Sequence, residues 1–372
     1  MTRRASRAAG DGRPHLLCVS HTADVGGAPT SLLLLLEHGL AAHARTTVLF
    51  GADGPMVERF RAVGVEVVQV DRTLSPLRRL SAVARVVAGD RPDVVLANCA
   101  VPLSRDAAAS ARALGVGVVW IQHESPDSVR SRKLMPWMRR LATSIVAVAQ
   151  PIRDAYGDDG RVVYVPNGVD AGRFTPAVAT GGLRAELGIP DRARVVAFVG
   201  LLHASKGVDV LLDLVPDLLD SRPDVHMLLV GDGPLLPAAE ALAGGALAGR
   251  LHVTGRRDDV PAVFALADLA VLPSTAEAFP RVALEALACA TPMVATDVGD
   301  TAVVVRDGVT GWCVAAGDPG AFADALAEAL DLPAEQLAAL GANGRALVLD
   351  QFTLERTTAA VTDLLGAAAR RW

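Results

Sequence analysis

The sequence predicts an α/β protein of two Rossmann-like domains, each a parallel sheet with helices on both faces. Three observations predict it. Short apolar runs of strand length alternate with helical patterns from one end of the chain to the other, as in repeated βα units. The alternation slackens over residues 170–190, rich in Gly, Thr and Pro, and then restarts. The 372 residues, 51% hydrophobic and 21% charged, are enough for two ordinary cores.

In the first half, strands are expected at 15–20, 46–50, 65–70, 93–98, 116–122, 144–149 and 161–166, with helical patterns at 28–42, 77–88 and 105–114 between them. The second half repeats the scheme with strands at 194–200, 225–231, 250–255, 269–274, 292–296 and 311–315. Helices at 208–219, 235–247, 282–288, 319–330 and 354–369 interleave with these. The expected organisation is a flexible N-terminal arm (1–14), a first domain (15–172), a linker (173–190), a second domain (191–350) and a C-terminal helix (351–372). The sequence permits that last helix to pack back on the first domain.

Composition removes several function classes. A net charge of −5 gives no support to nucleic-acid binding. Cys18, Cys99, Cys289 and Cys313 have neither metal-ligand nor disulfide spacing and read as small buried hydrophobes. The apolar run at 16–19 is too short for a signal-peptide core, and nothing later approaches a membrane span, so a cytoplasmic location is expected. Neither half carries a Gly-x-Gly-x-x-Gly fingerprint, which counts against a nicotinamide or flavin enzyme.

The richest stretch is Glu277-Ala278-Phe279-Pro280-Arg281-Val282-Ala283-Leu284-Glu285. It lies between an expected strand ending at Ser274 and the strand after Thr291-Pro292, so it forms the loop and helix of one βαβ unit. Glu277 then sits in the loop at the carboxyl end of a parallel strand, where open α/β sheets bind ligands. Glu285 sits in the first turns of the helix, whose N-terminus can hold an anion. Two acceptor carboxylates beside an anion site suit a ligand with both hydroxyls and phosphates.

Other strand ends add to it. Gly26-Gly27 opens the first helix and lets backbone approach a phosphate or sugar, although a simple glycine turn has the same look. Gly200 to Lys206-Gly207 follows the first strand of the second half; its lysine could neutralise a diphosphate or simply be solvated. A tight turn explains Gly231-Asp232-Gly233-Pro234 fully. In the loop at 254–260, backbone groups could read a base edge. His123 ends a strand at the same carboxyl edge as Gly26-Gly27, where it is a structural cap or a functional group. Between 130 and 140 five cations interleave with Leu134, Met135, Trp137 and Met138: a solvated helix face, or a surface for peripheral membrane contact.

Taken in order, these residues resemble the retaining glycosyltransferases of family 4, which have the GT-B fold of two Rossmann-like domains facing a central cleft. The matches span almost the whole chain: Gly26-Gly27, His123, Val165 to Asp170 with Asn167 and Gly168, Gly200 to Gly207, Gly231 to Pro234, Ala267-Asp268 to Ser274, and the Glu-x7-Glu signature at Glu277 and Glu285. The resemblance implies that Gly27 and its neighbours lie against the donor diphosphate and sugar. It further implies that Lys206 binds the diphosphate beside the helix start at Arg281 and Val282, that Glu277 holds donor-sugar hydroxyls and Glu285 the ribose, and that His123 approaches the sugar. Two departures stand out. Leu201 occupies the place of an arginine usual after the glycine at 200, and Arg281 is the expected substitute cation. Ala290 occupies the place of a glycine, expected to be a packing adjustment.

The expected activity is transfer of a hexose-type sugar from a nucleoside-diphosphate donor, uridine leading, to an acceptor hydroxyl with retention. The acceptor is a lipid-linked sugar or a soluble small molecule such as a cyclitol. No Asp-x-Asp occurs, so a metal-independent site is expected, with no cofactor. A nucleotide-sugar epimerase of the same fold, or a non-catalytic nucleotide-sugar-binding protein, is the alternative.

Overall fold

The computed structural model describes residues 12–180, 182–245 and 247–370. The arm expected over 1–14 therefore lies, up to residue 11, outside the described residues, as do the last two positions of the expected C-terminal helix. The chain divides into two compact units, one of residues 1–166 with 357–372, the other of residues 167–356.

The first unit holds a parallel sheet of β1 (His15–Ser20), β2 (Arg45–Phe50), β3 (Glu66–Gln69), β4 (Val94–Ala97), β5 (Gly117–Gln122), β6 (Ser144–Ala147) and β7 (Val162–Tyr164), in the order β3-β2-β1-β4-β5-β6-β7. The second holds β8 (Arg194–Val199), β9 (Val225–Val230), β10 (Leu251–Val253), β11 (Leu269–Leu272), β12 (Met293–Asp297) and β13 (Gly311–Ala315), in the order β10-β9-β8-β11-β12-β13. Every pairing is parallel. β1, β4, β8, β9 and β11 are almost wholly buried. Covered on both faces, they need continuous apolar runs rather than alternation. In each sheet the strand order reverses once, between β1 and β4 and between β8 and β11, which opens a crevice beyond their carboxyl ends.

Short helices not expected from the sequence form at Val57–Ala62, Gln150–Asp154 and Val260–Leu266, and three further departures matter more. The pattern at 28–42 breaks after Leu35, because Gly39 takes φ +122 and widens the turn. Within the stretch expected as a linker, a short helix at Leu183–Glu186 forms, and Leu183 and Ile189 join Val195, Leu228 and Val263 in a core cluster of the second unit. A long helix, Ala334–Gln351, fills a stretch where none was expected. The helix Leu354–Ala368 follows it, and its residues from 357 on belong to the first unit, where Thr357 Oγ1 donates to the Pro166 carbonyl.

Candidate active site

At the second unit's switch point the chain leaves β8 at Gly200 and turns through Ala204–Lys206 into the helix Val208–Ser221. Gly207 makes the turn with φ +67, and a Cβ there would lie 2.0 Å from the Pro273 carbonyl oxygen. Only glycine lets this loop press against the end of β11. Thr275 N–H donating to the Ser205 carbonyl (3.1 Å) joins the two loops. Lys206 is thereby set beside the loop after β11, its Nζ 2.5 Å from Glu277 Oε1. Ser274, fully buried at the strand end, donates to the same oxygen (2.9 Å).

The Glu277 loop is held from behind. Thr296 Oγ1 donates to the Ser274 carbonyl, and Asp300 N–H donates to the Ala278 carbonyl (2.9 Å). Gly299, at φ +59, lets that segment pack close, since a Cβ there would lie 2.3 Å from the Ala278 oxygen. Gly231-Asp232-Gly233 is more than a tight turn: Cβ atoms on its glycines would meet the carbonyls of Gly200 and Leu202 at 1.8 and 2.5 Å. The loop therefore buttresses the one carrying Lys206.

The helix Arg281–Ala288 starts from extended Pro280, with no side-chain cap and no acidic residue in its first turn. Its leading N–H groups, those of Arg281 and Val282 among them, form an uncapped anion-attracting end. One turn on, Glu285 Oε1 lies 3.3 Å from Arg281 Nη2. Burial pushes the Glu285 carboxyl above its ordinary range, with Arg281 and Arg173 pulling the other way. Each signature carboxylate thus has a cation at hand: Lys206 for Glu277, Arg281 for Glu285. Leu201, where the arginine was missed, is 53% exposed and brings no charge. Asn167, buried at the start of the second unit, makes no hydrogen bond to Lys206, Glu277, Arg281 or Glu285.

In the first unit, Gly26 is the extended residue before the helix Gly27–Leu35. A Cβ on Gly27 would meet nothing within 4 Å, so neither packing nor φ requires glycine there, and the space before it is open. His123 follows β5, and its Nε2 donates to Asn98 Oδ1 (3.1 Å), since the Asn98 amide nitrogen donates to the Ala28 carbonyl (2.8 Å). Fully buried Asn98 thus ties His123 to the glycine-led helix. Gln122 supports the same loop: Tyr156 Oη donates to its Oε1 (2.5 Å), and its Nε2 donates to the Glu124 carbonyl (3.2 Å).

Sequence reasoning missed Asn98, although an asparagine closing an apolar strand at the switch point was a readable signal. It also missed His21, directly after β1. Burial, then Arg130, lowers the His21 pKa, against Glu124, and its Nδ1 has no hydrogen-bond partner among the described residues.

Two family models match the chain, "Glycosyltransferase Family 4" over residues 25–173 and "Glycosyl transferases group 1" over residues 193–331. Among curated proteins it is similar to the D-inositol 3-phosphate glycosyltransferase of Streptomyces scabiei (strain 87.22), 35% identical over 245 residues, 62% of this chain and 54% of the relative. The protein of that name from Mycolicibacterium gilvum (strain PYR-GCK) is 40% identical over 183 residues, 46% of this chain and 40% of the relative. The chain thus spans about half the length of the curated relatives it matches. Among solved structures, Anabaena HepE in complex with UDP-glucose superposes with a TM-score of 0.83 at 22% identity, over 95% of this chain and 100% of that one.

Proposed function

This chain belongs to glycosyltransferase family 4, with the GT-B fold, and on that premise we propose that it moves a sugar from a nucleoside-diphosphate donor to an acceptor hydroxyl with retention of configuration. The observation that carries this reading is the pairing of Lys206 with Glu277 and of Arg281 with Glu285 at the β8/β11 switch point. Cations and uncapped N–H groups there suit a diphosphate, and the carboxylates beside them suit the hydroxyls of sugar and ribose. As the bond from the anomeric carbon to the diphosphate breaks, negative charge grows on the leaving oxygen. Lys206 and the helix start stabilise it where it forms. The acceptor oxygen bonds to the anomeric carbon on the face being vacated, and its proton passes to the leaving phosphate. With two side-chain cations at the diphosphate the reaction is metal-independent, so EDTA leaves turnover intact. In this reading Asn167, Gly200 and the open space at Gly26-Gly27 are donor contacts, and His123, oriented by Asn98, is a polar contact for the sugar.

HepE, a protein of the same fold, holds UDP-glucose, which supports uridine as the base. The names of the curated relatives support a soluble phosphorylated cyclitol as acceptor. A lipid-linked acceptor is the second reading, favoured by the basic helix at residues 129–141.

A panel of nucleotide sugars tested by thermal shift, followed by turnover of the one that binds, is the test. Lys206→Ala should lower kcat/KM roughly 100- to 1000-fold, the cost of removing one group that stabilises developing charge. Arg281→Ala should lower donor affinity about tenfold, as for a charge-assisted hydrogen bond. Full turnover in Lys206→Ala would overturn the reading, and an epimerised donor as sole product would replace it.

A further inference from the structure

Helices Pro76–Asp90, Pro102–Ala113 and Val129–Leu141 belong to the crossovers β3→β4, β4→β5 and β5→β6. All three crossovers run in the same direction across the sheet, so right-handed connections put the helices side by side on one face. This layer carries ten arginines and lysines against two aspartates, Asp90 and Asp106, in a chain whose net charge is −5. The last helix has five of the cations and no acid. Its buried side is Ser131, Leu134 and Met138, so Arg132, Lys133 and Arg140 face outward, without a hydrogen bond or ion pair among the described residues.

Bulky apolar side chains stand out among these cations. Leu77 is 82% exposed, Val129 60% and Trp137 44%. A groove of about 390 Å³ with an almost wholly apolar lining runs between the first two helices, bounded by Leu80, Ala84, Ala109 and Leu114. The layer is also held rigid. Arg79 and Arg105 both grip buried Asp106, at 2.7 and 2.8 Å, and the Arg105 guanidinium lies 5.5 Å from the centre of the Trp137 ring. Trp137 is thus fixed at the surface rather than folded into the core.

We propose that this three-helix layer docks the protein on an anionic lipid surface. Unpaired cations meet the headgroups, while Leu77, Val129 and Trp137 enter the acyl boundary. A nucleic acid would use the cations but not the leucines, and one aromatic ring is no stacking platform. No helix among the described residues is long and apolar enough to cross a membrane, and the contact proposed is a peripheral one. The proposal is independent of the transfer reaction.

The full chain should co-sediment with vesicles of phosphatidylcholine mixed with phosphatidylglycerol, not with phosphatidylcholine alone, and should be released by high salt. Arg132→Glu/Lys133→Glu/Arg140→Glu should lower partitioning on the order of a hundredfold, about fivefold per cation, with an unchanged urea midpoint. Mixed vesicles should shift tryptophan emission to the blue in the native chain but not in Trp137→Phe. Equal sedimentation with neutral vesicles, native partitioning of the charge-reversed chain, or tighter binding to single-stranded RNA or polyglutamate than to vesicles would each overturn it.

Discussion

Lys206 and Glu277 hold one another at 2.5 Å, although the proposed reaction asks them to face different parts of the donor. The lysine side chain keeps 29% of its exposure, so the pair is only partly desolvated and opens at modest cost. Donor binding therefore competes with an internal ion pair. Glu277→Gln frees the lysine, and calorimetry should find UDP bound at least as tightly as by the native enzyme. Transfer should nonetheless fall on the order of a hundredfold, because the sugar loses an oriented acceptor. Weaker UDP binding would mean that Glu277 shapes the diphosphate site itself. Ala290 makes a second residue-scale argument. Its φ of +59 is left-handed, so the alanine is more than a packing adjustment: it bears a strain that glycine would not. Ala290→Gly should raise unfolding free energy by about 0.5–1 kcal/mol, the strain relieved less the extra entropy of glycine in the unfolded chain. Denaturant melts would show this, and a loss of stability would contradict it.

The helix Arg281–Ala288, which presents Arg281 and Glu285, is placed by the helix Ala334–Gln351 behind it. Two glycines make the fit. A Cβ at Gly341 would lie 1.9 Å from the Ala290 carbonyl oxygen, and one at Gly344 2.4 Å from Leu287 Cδ2. Arg345 closes the far end by donating to the Ala288 carbonyl. Backbone cannot yield as a side-chain tip can, so Gly341→Ala should cost about 1–3 kcal/mol by overpacking. It should raise KM for the donor along with that loss; a stable variant with native kinetics would deny this helix a role in placing the site. The same glycines hid the helix from sequence reading, since at 341 and 344 they look like breakers rather than contact points. Strands such as β9 and β11 were legible because a buried parallel strand must be continuously apolar. The Glu277 and Glu285 positions were legible from the strand–loop–helix order alone. The Lys206 partner of Glu277 and the Asn98 bridge to His123 were not, because they join residues 71 and 25 positions apart in the chain, whereas Arg281 and Glu285 stand four apart on one helix.

At the scale of the whole molecule, His15, His21, His226 and His252 among the described residues have pKa values pushed below the ordinary 6.5. Burial is the first cause in each: His15, with Arg45 beside it; His21, with Arg130; His226, with Arg250 and Arg184; and His252, facing His226. His226 Nδ1 and His252 Nε2 lie 3.0 Å apart with their rings stacked, so one nitrogen donates and the other accepts while both rings are neutral. A second proton there would set two cations face to face among two arginines. Asp90 and Asp93 favour a charged His15, and Asp24 and Glu124 a charged His21, but neither pair outweighs burial and the neighbouring arginines. Between the lowered folded pKa and the unfolded value near 6.5, the unfolded chain binds more protons, so stability rises with pH in that window. Above 6.5 the histidines contribute no slope; as pH falls below it, stability is lost by at most about 1.4 kcal/mol per pH unit for each proton. Glu285 acts in the opposite sense, since its raised carboxyl pKa favours the folded state as it protonates, and it offsets part of the histidines' slope. Urea midpoints should therefore hold steady from pH 8 to 7 and drop from pH 6.5 to 5.5. His226→Gln/His252→Gln should make that drop shallower, and a native profile as flat below pH 6.5 as above it would show that these rings are accessible to protons in the fold.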